Sequence, residues 1–248
     1  MMFRQIFEIA KYYRVDDWIH YLGYILISSI LVSNIKLINF ILSAIILAYA
    51  YSLNDYYDKK MKNKYFIVPL ILYWLFVPFI SYFSFIISLL FLILFTFYSW
   101  PKVWLEGKPI LSTLTNSIGF TLIFILPFNN IEQISSNYQI VLLIFLLNII
   151  AQLLHEISHF KNDKNIGKIT TSVKIGLKKS TTILKIIIIL TLFYSISFIL
   201  PKYPIFSLYL CVFLILFLSH RKITKNERKD YKILGVLGGI ILTIEIIS

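Results

Sequence analysis

Long apolar runs separated by short polar breaks set the pattern of the chain. A bilayer-spanning helix needs about 20 mostly apolar residues, and charge and proline cut the sequence into nine such stretches, roughly 18–34, 36–53, 65–81, 83–100, 109–128, 138–157, 181–200, 203–219 and 231–247. The breaks alternate in length. Tight connections at Ser33-Asn34, Ser81-Tyr82 and Pro201-Lys202 predict antiparallel helical hairpins, and longer polar connections fall at 54–64, 101–108, 158–180 and 220–230. The pattern predicts an all-α, multi-pass membrane bundle of nine transmembrane helices, organised as a single domain over 1–248.

Composition narrows the class. With 58% apolar residues and a mean hydropathy of +0.80, the chain has too little polar surface for a soluble globule of this size. No small-residue cleavage site follows the first apolar run, so the first helix is expected to be retained. The single cysteine, Cys211, excludes an intrachain disulfide and a cysteine-based metal site. Charge then orients the bundle. A cytoplasmic N-terminus places 22 of the 24 Lys and Arg on the cytoplasmic side and leaves Lys36 and Lys202 opposite, as the positive-inside rule requires. The net charge of +12 is therefore read as membrane orientation toward anionic head groups, probing no nucleic acid, and the expected location is the plasma membrane. Aromatic residues near one boundary, among them Tyr12, Trp18, Tyr56 and Trp100, read as an interfacial belt.

Acids are scarce, with twelve Asp and Glu in 248 residues. Two polar clusters concentrate them: Asn54-Asp55-Tyr56-Tyr57-Asp58 at the end of one apolar run, and His155-Glu156-Ile157-Ser158-His159-Phe160-Lys161-Asn162-Asp163 at the end of another. A carboxylate at a membrane boundary is costly unless water, a partner charge or a metal holds it, which makes these acids functional candidates. Asn54 and Asp58 are four apart, and Glu156, His159 and Asp163 fall at i, i+3 and i+7, so each set shares a helix face. Oxygen ligands from two helices suit Mg2+, completed by waters and substrate phosphates. The second cluster also spells H-E-x-x-H, a physically sound zinc pattern if a third ligand is present. Glu132 and Glu245 read as solvated.

These residues carry a family resemblance. Asn54-Asp55-Tyr56-Tyr57-Asp58 is similar to the first motif, N-D-x-x-D-x-x-x-D, of the UbiA-type intramembrane prenyltransferase superfamily, with Lys62 in place of its last acid. Glu156 to Asp163 resembles the second, D-x-x-D-x-x-x-D, with Glu156 for the first acid and His159 for the middle one. Gly167-Lys168-Ile169-Thr170 follows the downstream G-x-x-T pattern, Tyr98 to Lys102 resembles Y-x-x-x-K, and Arg14 with Trp18 resembles the opening of helix 1. The chain departs from its relatives at Lys62 and His159, and it lacks the R-P-x-x-x-G stretch after helix 2.

The resemblance implies a magnesium-dependent prenyltransferase, a transferase of alkyl groups other than methyl. A prenyl diphosphate donor would place its tail among the helices in the lipid bilayer. Mg2+ would be held by Asn54, Asp55, Asp58 and Asp163, and the diphosphate would meet Arg14, Lys62, Tyr98, Lys102 and Lys168. A hydrophobic acceptor, lipophilic or aromatic, would lose its proton to Glu156 or His159 on the cytoplasmic side. Asn54 and Asp163 are expected to converge. The alternatives are an intramembrane zinc metalloprotease using His155-Glu156-x-x-His159, a non-catalytic isoprenoid-binding or transport protein, and a phosphoribosyl transferase of the same superfamily.

Overall fold

The computed structural model describes residues 11–58, 64–165, 167–219 and 223–248. Among these residues the chain is helical, without a strand. Helix α1 (Val15–Trp18) passes through a 3-10 turn (Ile19–Tyr21) into α2 (Leu22–Leu31), and α3 covers Leu37–Tyr57. Helix α4 (Ile67–Phe76) ends in a 3-10 turn (Val77–Phe79), and α5 is Tyr82–Ser99. Next come α6 (Leu111–Ile125), α7 (Ile131–Ser136), α8 (Tyr138–Asn165) and α9 (Thr171–Ile175). Helix α10 (Leu177–Tyr194) runs into a π-helical turn (Ser195–Ile199), followed by α11 (Pro204–Ser219) and α12 (Lys225–Ile247).

A helix lies in each predicted stretch. Four segments, Leu37–Tyr57, Tyr82–Ser99, Tyr138–Asn165 and Leu177–Ile199, are long and apolar enough to cross a membrane, and Ile67–Phe79, Leu111–Ile125 and Pro204–Ser219 are shorter apolar helices. In hydrocarbon a helix is favoured because it satisfies its own backbone polar groups. Two short helices, α7 and α9, fall in polar connections where the hydropathy pattern gives no sign of them. Helix α8 runs past the predicted edge at 157 because no proline or glycine interrupts 138–165.

The chain forms two compact units. The first contains Met1–Trp104 and Leu122–Ile134. Here α3 packs against α2, α4 and α5, and hydroxyl pairs pin the helices together: Tyr49 Oη lies 2.8 Å from Thr96 Oγ1 and Tyr73 Oη 3.1 Å from Ser88 Oγ. The second contains Leu105–Thr121 and Ser135–Ser248. In it α8 packs against α9, α10 and α12, with the Tyr231 hydroxyl donating to the Leu147 carbonyl at 2.9 Å. Glu245, expected to be solvated, instead accepts the Ile205 and Phe206 amides, each at 2.9 Å. Its carboxylate satisfies two amide donors that the start of α11 leaves without intrahelical acceptors. Glu132 is exposed, as expected.

Candidate functional site

In the first unit the acid motif closes α3. Asp55 is 5% exposed and receives Arg14 Nη1 at 3.1 Å. The same guanidinium clasps Asp17, with Nε and Nη2 each 2.7 Å from Oδ2, and lies 5.1 Å from the centre of the Tyr51 ring. Burial opposes charge on Arg14, but the carboxylates of Asp55 and Asp17 more than offset it and hold the pKa above its ordinary value. Arg14 adopts a left-handed backbone, φ 51° and ψ 43°, a conformation that costs a non-glycine residue about 1–2 kcal/mol and is kept here by these contacts. Trp18 fixes the entry from the other side, its indole N–H donating to the Tyr13 carbonyl at 2.6 Å.

Asn54 is half-buried and Asp58 is exposed at the C-terminal end of α3, where Asp58 is the capping residue. Tyr98 is half-buried near the end of α5, its ring 5.8 Å from that of Phe95. Lys102 is exposed and sits 5.6 Å over the Trp100 ring. Lys62 lies outside the described residues.

In the second unit Glu156 is 2% exposed and both its oxygens accept hydrogen bonds. Oε1 receives the Thr113 hydroxyl at 2.8 Å and Gln152 Nε2 at 3.5 Å, and Oε2 receives the Ser172 amide at 3.1 Å. The Ser172 hydroxyl donates to the Glu156 carbonyl at 3.0 Å. Thr171 Oγ1 lies 2.8 Å from Thr113 Oγ1 and accepts the Ile110 amide at 2.9 Å. One carboxylate thus ties α8 to α9 and to the start of α6. Ile110 is held at φ 68°, a true outlier for a β-branched side chain, and such strain persists only where the surroundings over-determine it.

Thr170, the last residue of G-x-x-T, caps α9 by accepting the Val173 amide at 3.4 Å. Lys168 in the same motif pairs with Glu106, which is 6% exposed. Asp163 is 9% exposed on α8. His159 Nε2 lies 3.2 Å from Arg228 Nη1 on α12, and the His155 and His159 rings are 4.7 Å apart.

The structure therefore brings Arg14 to Asp55 within the first motif, and Glu156 to the segment after G-x-x-T within the second. Sequence reasoning missed Asp17, Thr113, Thr171, Ser172 and Arg228. A signal was available for two of them: Thr171 and Ser172 directly follow G-x-x-T.

The geometry does not favour the zinc pattern. Glu156, which would be the general base, already receives Thr113, Gln152 and Ser172, and a guanidinium stands against His159 Nε2, where a zinc ion would meet a fixed positive charge. Among the described residues no group of three or more His, Cys, Asp or Glu could hold a metal. The donor set at the two motifs is of another kind. Asn54 and Asp58 at the end of α3, and separately Asp163 on α8, are hard oxygen donors, the kind that suits a cation that keeps waters and is completed by phosphate oxygens rather than an all-protein cage.

Comparison with known proteins adds to this geometry. The model of the UbiA prenyltransferase family matches residues 64–238. No curated protein matches the chain. Among solved structures, the fold resembles a UbiA homolog from Archaeoglobus fulgidus, with a TM-score of 0.74, 16% identity, and 97% of this chain and 99% of that chain covered. It also resembles the same homolog bound to GPP and Mg2+, with a TM-score of 0.69, 16% identity, and coverage of 96% and 100%. A digeranylgeranylglyceryl phosphate synthase is similar too, with a TM-score of 0.66, 17% identity, and coverage of 96% and 97%.

Proposed function

This chain belongs to the UbiA prenyltransferase family, and on that premise we propose that it transfers an isoprenoid group from a prenyl diphosphate to a lipophilic or aromatic acceptor at the cytoplasmic side of the plasma membrane. It acts as one catalytic domain of nine membrane-spanning helices with a cytoplasmic N-terminus. The reading is carried by the acids themselves: in a chain with twelve Asp and Glu, both acid motifs fall at or near the ends of long apolar helices, α3 and α8. The archaeal homolog bound to GPP and Mg2+ supports the donor class and the cation.

Asn54, Asp55, Asp58 and Asp163 are the residues that would hold magnesium, Asp55 with its charge shared by Arg14. The chemistry that magnesium supplies when bound is neutralisation of the leaving diphosphate. Arg14, Lys62, Tyr98, Lys102 and Lys168 bind and orient the diphosphate oxygens. Stabilising charge as it develops on a departing oxygen is commonly the largest catalytic contribution. The apolar helices exclude water from the allylic cation, and aromatic ring faces near it lower its energy. Glu156 and His159 are the two proposed bases for the acceptor's proton; the oxygens of Glu156 already receive three side-chain and backbone donors, and Arg228 Nη1 lies 3.2 Å from His159 Nε2. Glu156 serves by holding α8, α9 and α6 in register.

Mass spectrometry of lipids from cells that express the chain and are supplied with geranyl or longer prenyl diphosphates tests the reading. A prenylated lipid should accumulate, and Asp58→Asn and Asp163→Asn should each reduce it by about two orders of magnitude or more, the scale of losing a charge-stabilising group. The reading fails if no product forms and the purified chain shows no magnesium-dependent binding of geranyl diphosphate.

A further inference from the structure

Helices α8 and α12 face each other with an unusual set of side chains. His155 and His159 stand one turn apart on α8, and Arg228 and Lys232 stand one turn apart on α12. The Tyr231 hydroxyl, between the two cations in sequence, docks α12 on the Leu147 carbonyl at 2.9 Å. Arg228 Nη1 reaches His159 Nε2 at 3.2 Å, and the His155 and His159 rings are 4.7 Å apart. Like charges at i and i+4 on a helix repel.

A second observation points the same way. His155 Nδ1 is buried and has no hydrogen-bond partner. A buried polar atom left in that state is costly and is uncommon in native proteins unless something else completes it. Of the neighbouring acids, Glu156 turns to Thr113 and Ser172, Asp163 lies one turn beyond His159 and faces the charges of His159 and Lys168, and Asp230 is exposed on α12.

We propose that this face of α8 and α12 is an oxyanion site, in which Arg228, His155 and His159 hold a phosphate-type group of a substrate. The arrangement supplies a guanidinium, whose fork of N–H donors matches such oxygens, beside imidazole nitrogens able to donate. Two sources share this chemistry, the diphosphate of the donor and an acidic head group on the acceptor. Assigning the anion to a substrate rests on the prenyltransferase reading, whereas the site itself does not. Arg228 thereby becomes a binding residue, and the replacement of an acid by His159 becomes part of the same change from cation to anion binding.

The full chain in lipid nanodiscs provides the test, with three probes: geranyl diphosphate with magnesium, dodecyl phosphate, and dodecanol as the uncharged control. Arg228→Gln should weaken at least one anionic probe by about tenfold or more, the scale of losing a charge-assisted hydrogen bond. Dodecanol binding should stay within about twofold on the same scale, and Arg228→Lys should recover part of the loss. Weakening of geranyl diphosphate assigns the site to the donor. Weakening of dodecyl phosphate alone assigns it to a second, acidic substrate. If Arg228→Gln loses dodecanol as well, His155→Phe takes its place in the comparison. Unchanged binding of both anions in whichever variant retains dodecanol overturns the site. A parent protein that binds dodecyl phosphate through Arg228 but never geranyl diphosphate would sink the prenyltransferase reading and leave the oxyanion site standing.

Discussion

Arg14 and Glu156 show two ways in which a membrane-boundary charge is made tolerable. Arg14 is held by two carboxylates and a ring face, so an ion cluster carries it. Glu156 is solvated by neutral donors, Thr113, Gln152 and the Ser172 amide. That difference yields a prediction. Glu156→Gln keeps the shape but turns an acceptor into a donor, which must face either the Ser172 N–H or the Thr113 hydroxyl. The thermal midpoint in detergent should fall by the equivalent of about 1–3 kcal/mol, the cost of leaving a buried donor unsatisfied, while Glu156→Asp should fall less. A Glu156→Gln protein as stable as the parent would mean that the network is not holding α8 to α9. The acids themselves were legible in the sequence, because carboxylates are rare here and fall at the ends of apolar runs. Their partners were not. A threonine in an apolar helix such as Thr113 is indistinguishable by pattern from those that merely bond back to the preceding turn, as Thr121 does to Ser117, and nothing local in Arg228 encodes a contact 69 positions away.

At the scale of elements, polar side chains act mainly at helix ends. Ser81 caps α5 by accepting the Ser84 amide at 3.0 Å, and Thr224 with Glu227 forms a capping box on α12, a pairing that stabilises by about 0.5–2 kcal/mol. Glu245 does the same for α11 from another helix, and Gly238 lets the two come close: a Cβ there would stand 3.0 Å from Tyr209 Cε1. Glu245→Ala should therefore lower stability by about 1 kcal/mol or somewhat more, since a cap and a favourable dipole contact are both lost. Thermal unfolding of the purified protein measures this, and an unchanged midpoint would show that water replaces the carboxylate without cost. Helix positions were readable because hydropathy reports burial in lipid directly. The ends and the short α7 and α9 were not, since they depend on caps and on turns such as Gly176 at φ 87°, where a positive φ favours glycine.

For the whole molecule, the charge asymmetry sets the expected orientation. With 22 of 24 basic residues assigned to one side, reporter fusions after Lys62 and after Glu132 should label opposite compartments, the first cytoplasmic. The same compartment for both would overturn the nine-helix topology. Assembly within the bilayer has an order of its own, and the π-helical turn at Ser195–Ile199 bears on it. There Leu200 N–H bonds to the Ser195 carbonyl at 2.9 Å, the Ser207 hydroxyl reaches that carbonyl at 3.2 Å, and the two serine hydroxyls meet at 2.8 Å. Helices in lipid associate through small residues and hydrogen bonds rather than through hydrophobic exclusion, and these two serines are only 12 positions apart. The hairpin of α10 and α11 can thus close as soon as both helices have been inserted, with little loop entropy to lose. The Tyr231 to Leu147 contact spans 84 positions and must wait until α12 has emerged, so α12 docks on α8 only after the hairpin of α10 and α11 has had the chance to close.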